Sequence, residues 1–70
     1  MRTVLITAEP IELCKVMKFE NLVHSGGAAK QAIASGQVQV NGAVETRRRK
    51  KLYAGDTITF NNVTLTLALE

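Results

Sequence analysis

Residues 36–42 read Gly36-Gln37-Val38-Gln39-Val40-Asn41-Gly42, and this stretch decides the fold. Gly36 predicts a helix end, because glycine takes the left-handed C′ conformation without a Cβ penalty. Gln37-Val38-Gln39-Val40 alternates polar and apolar residues, as a half-buried strand does. Asn41-Gly42 predicts a reversal, since both residues tolerate positive φ. A helix that empties into a strand and then a hairpin indicates mixed α and β structure with antiparallel pairing.

Working upstream, Ser25 is a good N-cap, and Ala28-Ala29-Lys30-Gln31-Ala32-Ile33-Ala34 is rich in strong helix formers. Its small alanines let this helix lie close to a neighbour. Leu13, Val16 and Met17 recur at three- and four-residue spacing, and Pro10 suits a first helical position, so a first helix is expected from about 10 to 19. Residues 2–7 read as a short strand with Val4 and Ile6 on one face.

Downstream, Ala54-Gly55-Asp56 reads as a turn, and two strand-like runs flank Asn61-Asn62. A two-residue turn there would set Phe60 opposite Val63 and Ile58 opposite Leu65, all apolar and on one face. The same rule applied at Asn41-Gly42 is less comfortable. It pairs Gln39 with Val44 and sets Val44 against the alternation of Val38 and Val40. Either that loop is longer or the following strand is irregular.

The chain of 70 residues has 46% hydrophobic and 21% charged residues, ordinary values for one small globular domain. A domain of this size buries only about 60% of its unfolded surface. One cysteine, Cys14, excludes an intramolecular disulfide, and it is expected to pack as a small hydrophobe. Residues 2–6 are too few for a signal-peptide core, and no apolar stretch approaches the roughly 20 residues of a membrane span. A cytoplasmic location without membrane contact is therefore expected.

Charge is distributed very unevenly. Five of the nine basic residues are consecutive: Arg47, Arg48, Arg49, Lys50 and Lys51. The formal net charge is +3, yet the chain outside this run carries four basic and six acidic side chains. The positive character is thus one patch, of the kind that meets phosphates and releases their condensed counterions.

Catalytic and metal chemistry find little support. His24 is the sole histidine, and its neighbour Ser25 has no acid placed to complete a nucleophile–base arrangement. One cysteine and one histidine are too few ligands for a metal site, and no phosphate-binding loop or dinucleotide fingerprint is present. A non-enzymatic protein without cofactor is expected. Ser25-Gly26-Gly27 is more informative: unpaired N–H groups and the macrodipole favour an anion there, glycines allow close approach, and Lys30 lies one turn on. His24 reads either as an exposed loop residue or as a phosphate contact.

Taken together, these elements resemble the small RNA-binding domain named after small-subunit ribosomal protein four, the S4 domain. The matching features are Leu13-x-x-x-Met17, the Gly-Leu-like step Asn21-Leu22, Ser25 to Lys30, Ile33, Gly36 to Gly42, and Gly55-Asp56-Thr57-Ile58. They cover a core of about residues 11–60. Ser25-Gly26-Gly27-Ala28-Ala29-Lys30 and Arg47 to Asp56 narrow the resemblance to a stand-alone bacterial group typified by the YbcJ and YaaA proteins. This chain departs from the wider pattern at three positions. Gly26 stands where an Arg often follows the helix-opening Ser, Glu12 where an Arg often begins the first helix, and Cys14 where an acid often follows.

The resemblance implies an α+β fold: two short helices, the αL motif, packed on a small, mostly antiparallel β-sheet, with residues 1–70 as one domain. It implies binding of structured RNA, ribosomal RNA or a ribosomal precursor, by a monomer associated with the ribosome or its assembly intermediates. The residues expected at the RNA are Lys18, His24, Ser25, Gly26, Gly27 and Lys30, together with Arg47, Arg48, Arg49, Lys50 and Lys51, with the start of the second helix and the basic run expected to form one continuous surface. The basic run is expected to take over contacts that the departures at Glu12 and Gly26 remove. A sulfur-carrier-like domain is the rival from another class, but such carriers need a C-terminal Gly-Gly and this chain ends Leu69-Glu70. A protein-binding adaptor is the other rival. The alternation from Val63 to Leu69 argues that its sheet face is already used by the core.

Overall fold

Two asparagine-led turns organise the sheet. In the computed structural model, which describes residues 2–70, Asn61 and Asn62 adopt φ values of 53° and 65°. They join β6 (Thr57–Phe60) to β7 (Val63–Leu69), with Phe60 opposite Val63 and Ile58 opposite Leu65. Asn41 and Gly42, at φ 53° and 83°, join β3 (Gln39–Val40) to β4 (Ala43–Val44). Consecutive positive φ values match the right-handed twist of the flanking strands. The first strand, β1 (Arg2–Ile6), closes the sheet by pairing parallel to β7. The strand order is β1-β7-β6-β3-β4, antiparallel except at the β1–β7 pair.

The anticipated difficulty at Val44 resolves in a third way. The tight turn is kept, Gln39 pairs with Val44, and Glu45 N–H still donates to Val38 C=O at 3.0 Å. The loop is not longer and the ladder is not irregular; Val44 is simply turned outward and left 58% exposed.

The second helix, α2 (Gly26–Ala34), has the expected boundaries. Ser25 Oγ accepts from Ala28 N–H at 3.1 Å. At the other end Gly36 N–H reaches Ile33 C=O and Gln37 N–H reaches Ala32 C=O, both at 3.1 Å, the paired bonds of a Schellman stop. The first helix ends in the same way: Asn21, at φ 56°, donates to Lys18 C=O, and Leu22 N–H donates to Met17 C=O at 2.9 Å. Asn21 thus occupies a left-handed position that glycine also serves, which is the structural meaning of the Gly-Leu-like step.

The start of the first helix is a correction. α1 runs Leu13–Phe19, not from residue 10. Pro10 follows a cis peptide bond with Glu9, and β2 (Ile11–Glu12) pairs antiparallel with β5 (Lys51–Leu52) in a separate two-stranded sheet. Proline is permitted at a first helical position, not compelled there; pairing Ile11 with the fully buried Leu52 is the competing interaction that prevails.

The helices and the inner sheet face share one core. Leu13, Val16 and Met17 from α1 and Ala32 and Ile33 from α2 meet Val4, Ile6, Val38, Val40, Leu52, Ile58, Phe60, Leu65 and Leu67. Cys14 packs at its edge as a partly buried apolar group. No buried polar or charged side chain occurs among the described residues. No helix among them is long and apolar enough to cross a membrane.

Candidate functional site

The basic run is a built feature rather than a loose loop. Arg47–Lys50 forms a turn closed by Lys50 N–H donating to Arg47 C=O at 3.1 Å. Lys51 then enters β5. Two further main-chain bonds fix the turn to α1. Leu13 N–H donates to Lys50 C=O at 3.0 Å, and Cys14 N–H donates to Arg48 C=O at 3.1 Å. These are helix-start N–H groups that lack intrahelical partners. No side chain caps them, since the N-cap residue is Glu12 and makes no such bond. The carbonyls of the basic turn supply the cap, so its backbone is held while its side chains remain outside.

Arg47, Arg48, Arg49 and Lys51 are exposed and Lys50 is half-buried. Together with Tyr53 they line a hollow of about 750 Å³. Arg47 is already engaged: its Nε lies 3.0 Å from Glu45 Oε2, and its own N–H donates to the same oxygen at 3.0 Å. The Arg47 guanidinium, followed by that backbone N–H, holds the Glu45 carboxyl below its usual range, and Glu45 raises Arg47 in turn. The ion pairs among the described residues are this one and Lys15–Glu12 at 3.9 Å. Arg48, Arg49, Lys50 and Lys51 are outside both.

The second cluster lies around the start of α2. His24, Ser25, Gly26, Gly27 and Lys30 are all exposed. Lys18, in the last turn of α1, joins them: a Cβ built on Gly26 would lie 3.9 Å from Lys18 Nζ. The short loop 20–25 brings this ammonium beside the N–H groups of α2. The basic turn is therefore tied to the start of α1, and the α2 cluster lies beside its end. The seven-residue helix between them is roughly 10 Å long, at about 1.5 Å per residue. The hollow at the basic turn has no lining residue from α2.

Sequence reasoning did not single out Tyr53 or Glu45. Tyr53 sits two residues beyond the cationic run, and that proximity was a usable signal. The pairing of Glu45 with Arg47 follows from the course of the chain after β4 and had none. A second hollow, about 600 Å³, runs between β1 and α1 and includes the exposed Leu5 and Phe19.

The profile of the S4 domain matches residues 4–68 of this sequence. The chain belongs to the S4-domain family. Among curated relatives, the "Putative RNA-binding protein YbcJ" of Escherichia coli (strain K12) is 56% identical over 50 residues, covering 71% of each chain. The "Probable ribosome maturation protein RlbA" of Bacillus subtilis (strain 168) is 38% identical over 53 residues, covering 76% of this chain and 75% of that one. Among solved structures, the solution structure of E. coli YbcJ superposes with a TM-score of 0.74 at 45% identity. That match covers 97% of this chain and 87% of the other, and YbcJ is described as carrying an αL motif involved in RNA-binding. The helix pair α1–α2 of this S4 domain, with its asparagine-stopped first helix and serine-capped second, is the corresponding motif.

Proposed function

We propose that this S4 domain binds structured RNA without catalysis, with ribosomal RNA or a ribosomal precursor as its target. The observation that carries the reading is the basic turn, whose main chain is fixed to α1 through Leu13 and Cys14 while its cationic side chains face a common hollow. A fixed backbone under exposed cations suits a target recognised by shape and phosphate geometry, since side chains cannot read the narrow major groove of A-form RNA.

The α2 cluster supplies the second contact. Ser25 Oγ accepts from Ala28 N–H and serves as the cap of α2. Gly26 and Gly27 keep the helix start open, and Lys18 and Lys30 add full charge beside it. The ribosomal target rests on the name of the B. subtilis relative and on the resemblance to a ribosomal protein domain. A cytoplasmic monomer at the ribosome or its assembly intermediates is the setting that fits.

Crosslinking in cells followed by sequencing of the bound RNA tests this directly. Enrichment of ribosomal or precursor sequence is expected, and it should be lost when Arg48 and Arg49 are reversed to Glu. Recovery of protein partners that persists after nuclease treatment, with no RNA above background, would favour the adaptor reading and overturn this one.

A further inference from the structure

Tyr53 gives the basic hollow a chemistry that phosphate alone does not call for. Its side chain lines the hollow beside Arg47–Lys51 and is 48% exposed. The preceding residue, Leu52, is fully buried in β5. Tyr53 follows the end of β5 and its side chain lies in the hollow, outside the core.

The backbone beneath the ring is held firmly. Tyr53 N–H donates to Asp56 Oδ2 at 2.8 Å, and Asp56 N–H donates back to Tyr53 C=O at 3.0 Å. The other carboxylate oxygen, Asp56 Oδ1, accepts from Asn41 Nδ2 at 3.1 Å, which ties this turn to the β3–β4 hairpin. The ring is thus presented from a pre-organised turn. An aromatic side chain of this kind orders only two torsions when it engages a partner.

We infer that the Arg47–Lys51 hollow takes an unpaired nucleotide of the RNA, its base stacked on Tyr53 and its flanking phosphates held by the cations. This rests on the RNA-binding reading and narrows it. Bases within an A-form duplex are covered by their neighbours; unpaired ones in loops, bulges, junctions or single-stranded ends can be splayed out onto an aromatic ring. A phosphate-only site would use the Tyr53 hydroxyl and leave the ring face idle, whereas a groove that tracks the backbone and stacks a base uses every group present here. The target is accordingly an RNA whose fold leaves a nucleotide extruded beside its phosphate backbone.

The chain offers a direct probe, because it contains one tyrosine and no tryptophan. Its intrinsic emission reports on this ring alone. The ligands are a single-stranded oligoadenylate and a blunt RNA duplex with the same number of phosphates. Oligoadenylate should quench the tyrosine emission and the duplex should not. Tyr53→Ala should weaken oligoadenylate binding by at least about fivefold, the lower end for losing one base–aromatic stack. Tyr53→Phe should bind as the parent does, and Tyr53→Leu should not restore binding. Duplex affinity and melting temperature should be unchanged in all three. Unaltered oligoadenylate affinity in Tyr53→Ala, with no quenching in the parent, would overturn the stacking site while leaving the electrostatic RNA reading intact. Failure of the parent to bind either probe would overturn both.

Discussion

The main-chain N–H of Cys14 donates to the carbonyl of Arg48 at 3.1 Å, so a helix start is capped by the backbone of the cationic turn. One bond satisfies an otherwise unpaired N–H and fixes the origin of the Arg48 side chain. Position is thereby separated from charge. Arg48→Glu with Arg49→Glu should keep the cap, because the carbonyls remain, and should change stability by no more than about 0.5 kcal/mol per site. RNA binding should be abolished. Circular dichroism melts and a mobility-shift titration measure the two effects; an unfolded double variant would show that these side chains, and not only their backbone, support the fold.

Salt dependence should distinguish Arg47 from its neighbours. Four to five phosphates neutralised by the basic turn contribute roughly −3 to −4.5 to the slope of log affinity against log salt, at about 0.7–0.9 per phosphate, before any share from the α2 cluster. Arg48→Ala should reduce its magnitude by one such share. Arg47→Ala should reduce it less, because the Arg47 guanidinium is shared with Glu45 at 3.0 Å. Equal reductions would mean that Arg47 leaves Glu45 completely on binding, and a slope near zero would remove phosphate contact from the account altogether.

The same pair sets a pH dependence. Hydrogen bonding from Arg47 lowers the Glu45 carboxyl in the folded protein. Its stabilising contribution is therefore fully present above the unfolded value, about 4.3. It is lost as pH falls through the lower folded value. Melting temperatures of the parent and Glu45→Gln should differ at neutral pH and converge under acid conditions. The difference should be small and should shrink with salt, as expected for a surface pair. A gap that widens toward acid pH would contradict the pairing.

Local chemistry made the hairpins legible. Asn61-Asn62 and Asn41-Gly42 each require positive φ at two consecutive positions, and few residues tolerate that. Ser25 and Gly36 bounded α2 for equally local reasons. The start of α1 was not legible, because Pro10 is compatible with a helix and what displaced it is the pairing of Ile11 with Leu52, 41 positions apart. The short strands β2 and β5 left no signal either, because two-residue elements carry no periodicity. The cationic run was plain in the sequence, but its attachment to α1 was not, since backbone hydrogen bonds leave no mark on residue type. Tyr53 needed the turn around Asp56 before its direction had meaning.

Asn21 tests the loop that positions Lys18 beside α2. At φ 56° it closes α1, and Leu22 after it packs against the core. Asn21→Gly should be tolerated or slightly stabilising. Asn21→Ala should be less stable than Asn21→Gly by about 1 kcal/mol, the lower end of the left-handed penalty for a residue with a Cβ, with the parent between them because a short polar side chain eases that conformation. Chemical denaturation of the two variants measures the contrast, and equal stabilities would mean that the loop relaxes to another conformation.

The start of α2 gives the sharpest separation of stability from binding. Gly27 has a helix-compatible backbone, and a Cβ there would meet only Ser25 Oγ, at 3.8 Å, an ordinary contact. Gly27→Ala should therefore stabilise the fold by about 0.4–1 kcal/mol, chiefly by restricting the unfolded chain. If an RNA phosphate approaches this backbone, the added methyl occupies its path, and affinity should fall as the melting temperature rises. Lys18→Ala and Lys30→Ala remove charge beside the same site; each should weaken binding and lower the salt slope by up to one phosphate's share. Combining Gly27→Ala with Lys18→Ala should cost less than the two effects added, because both act on one bound group. Parent-like affinity in all three single variants would withdraw the α2 cluster from the interface and leave the basic turn as the contact surface.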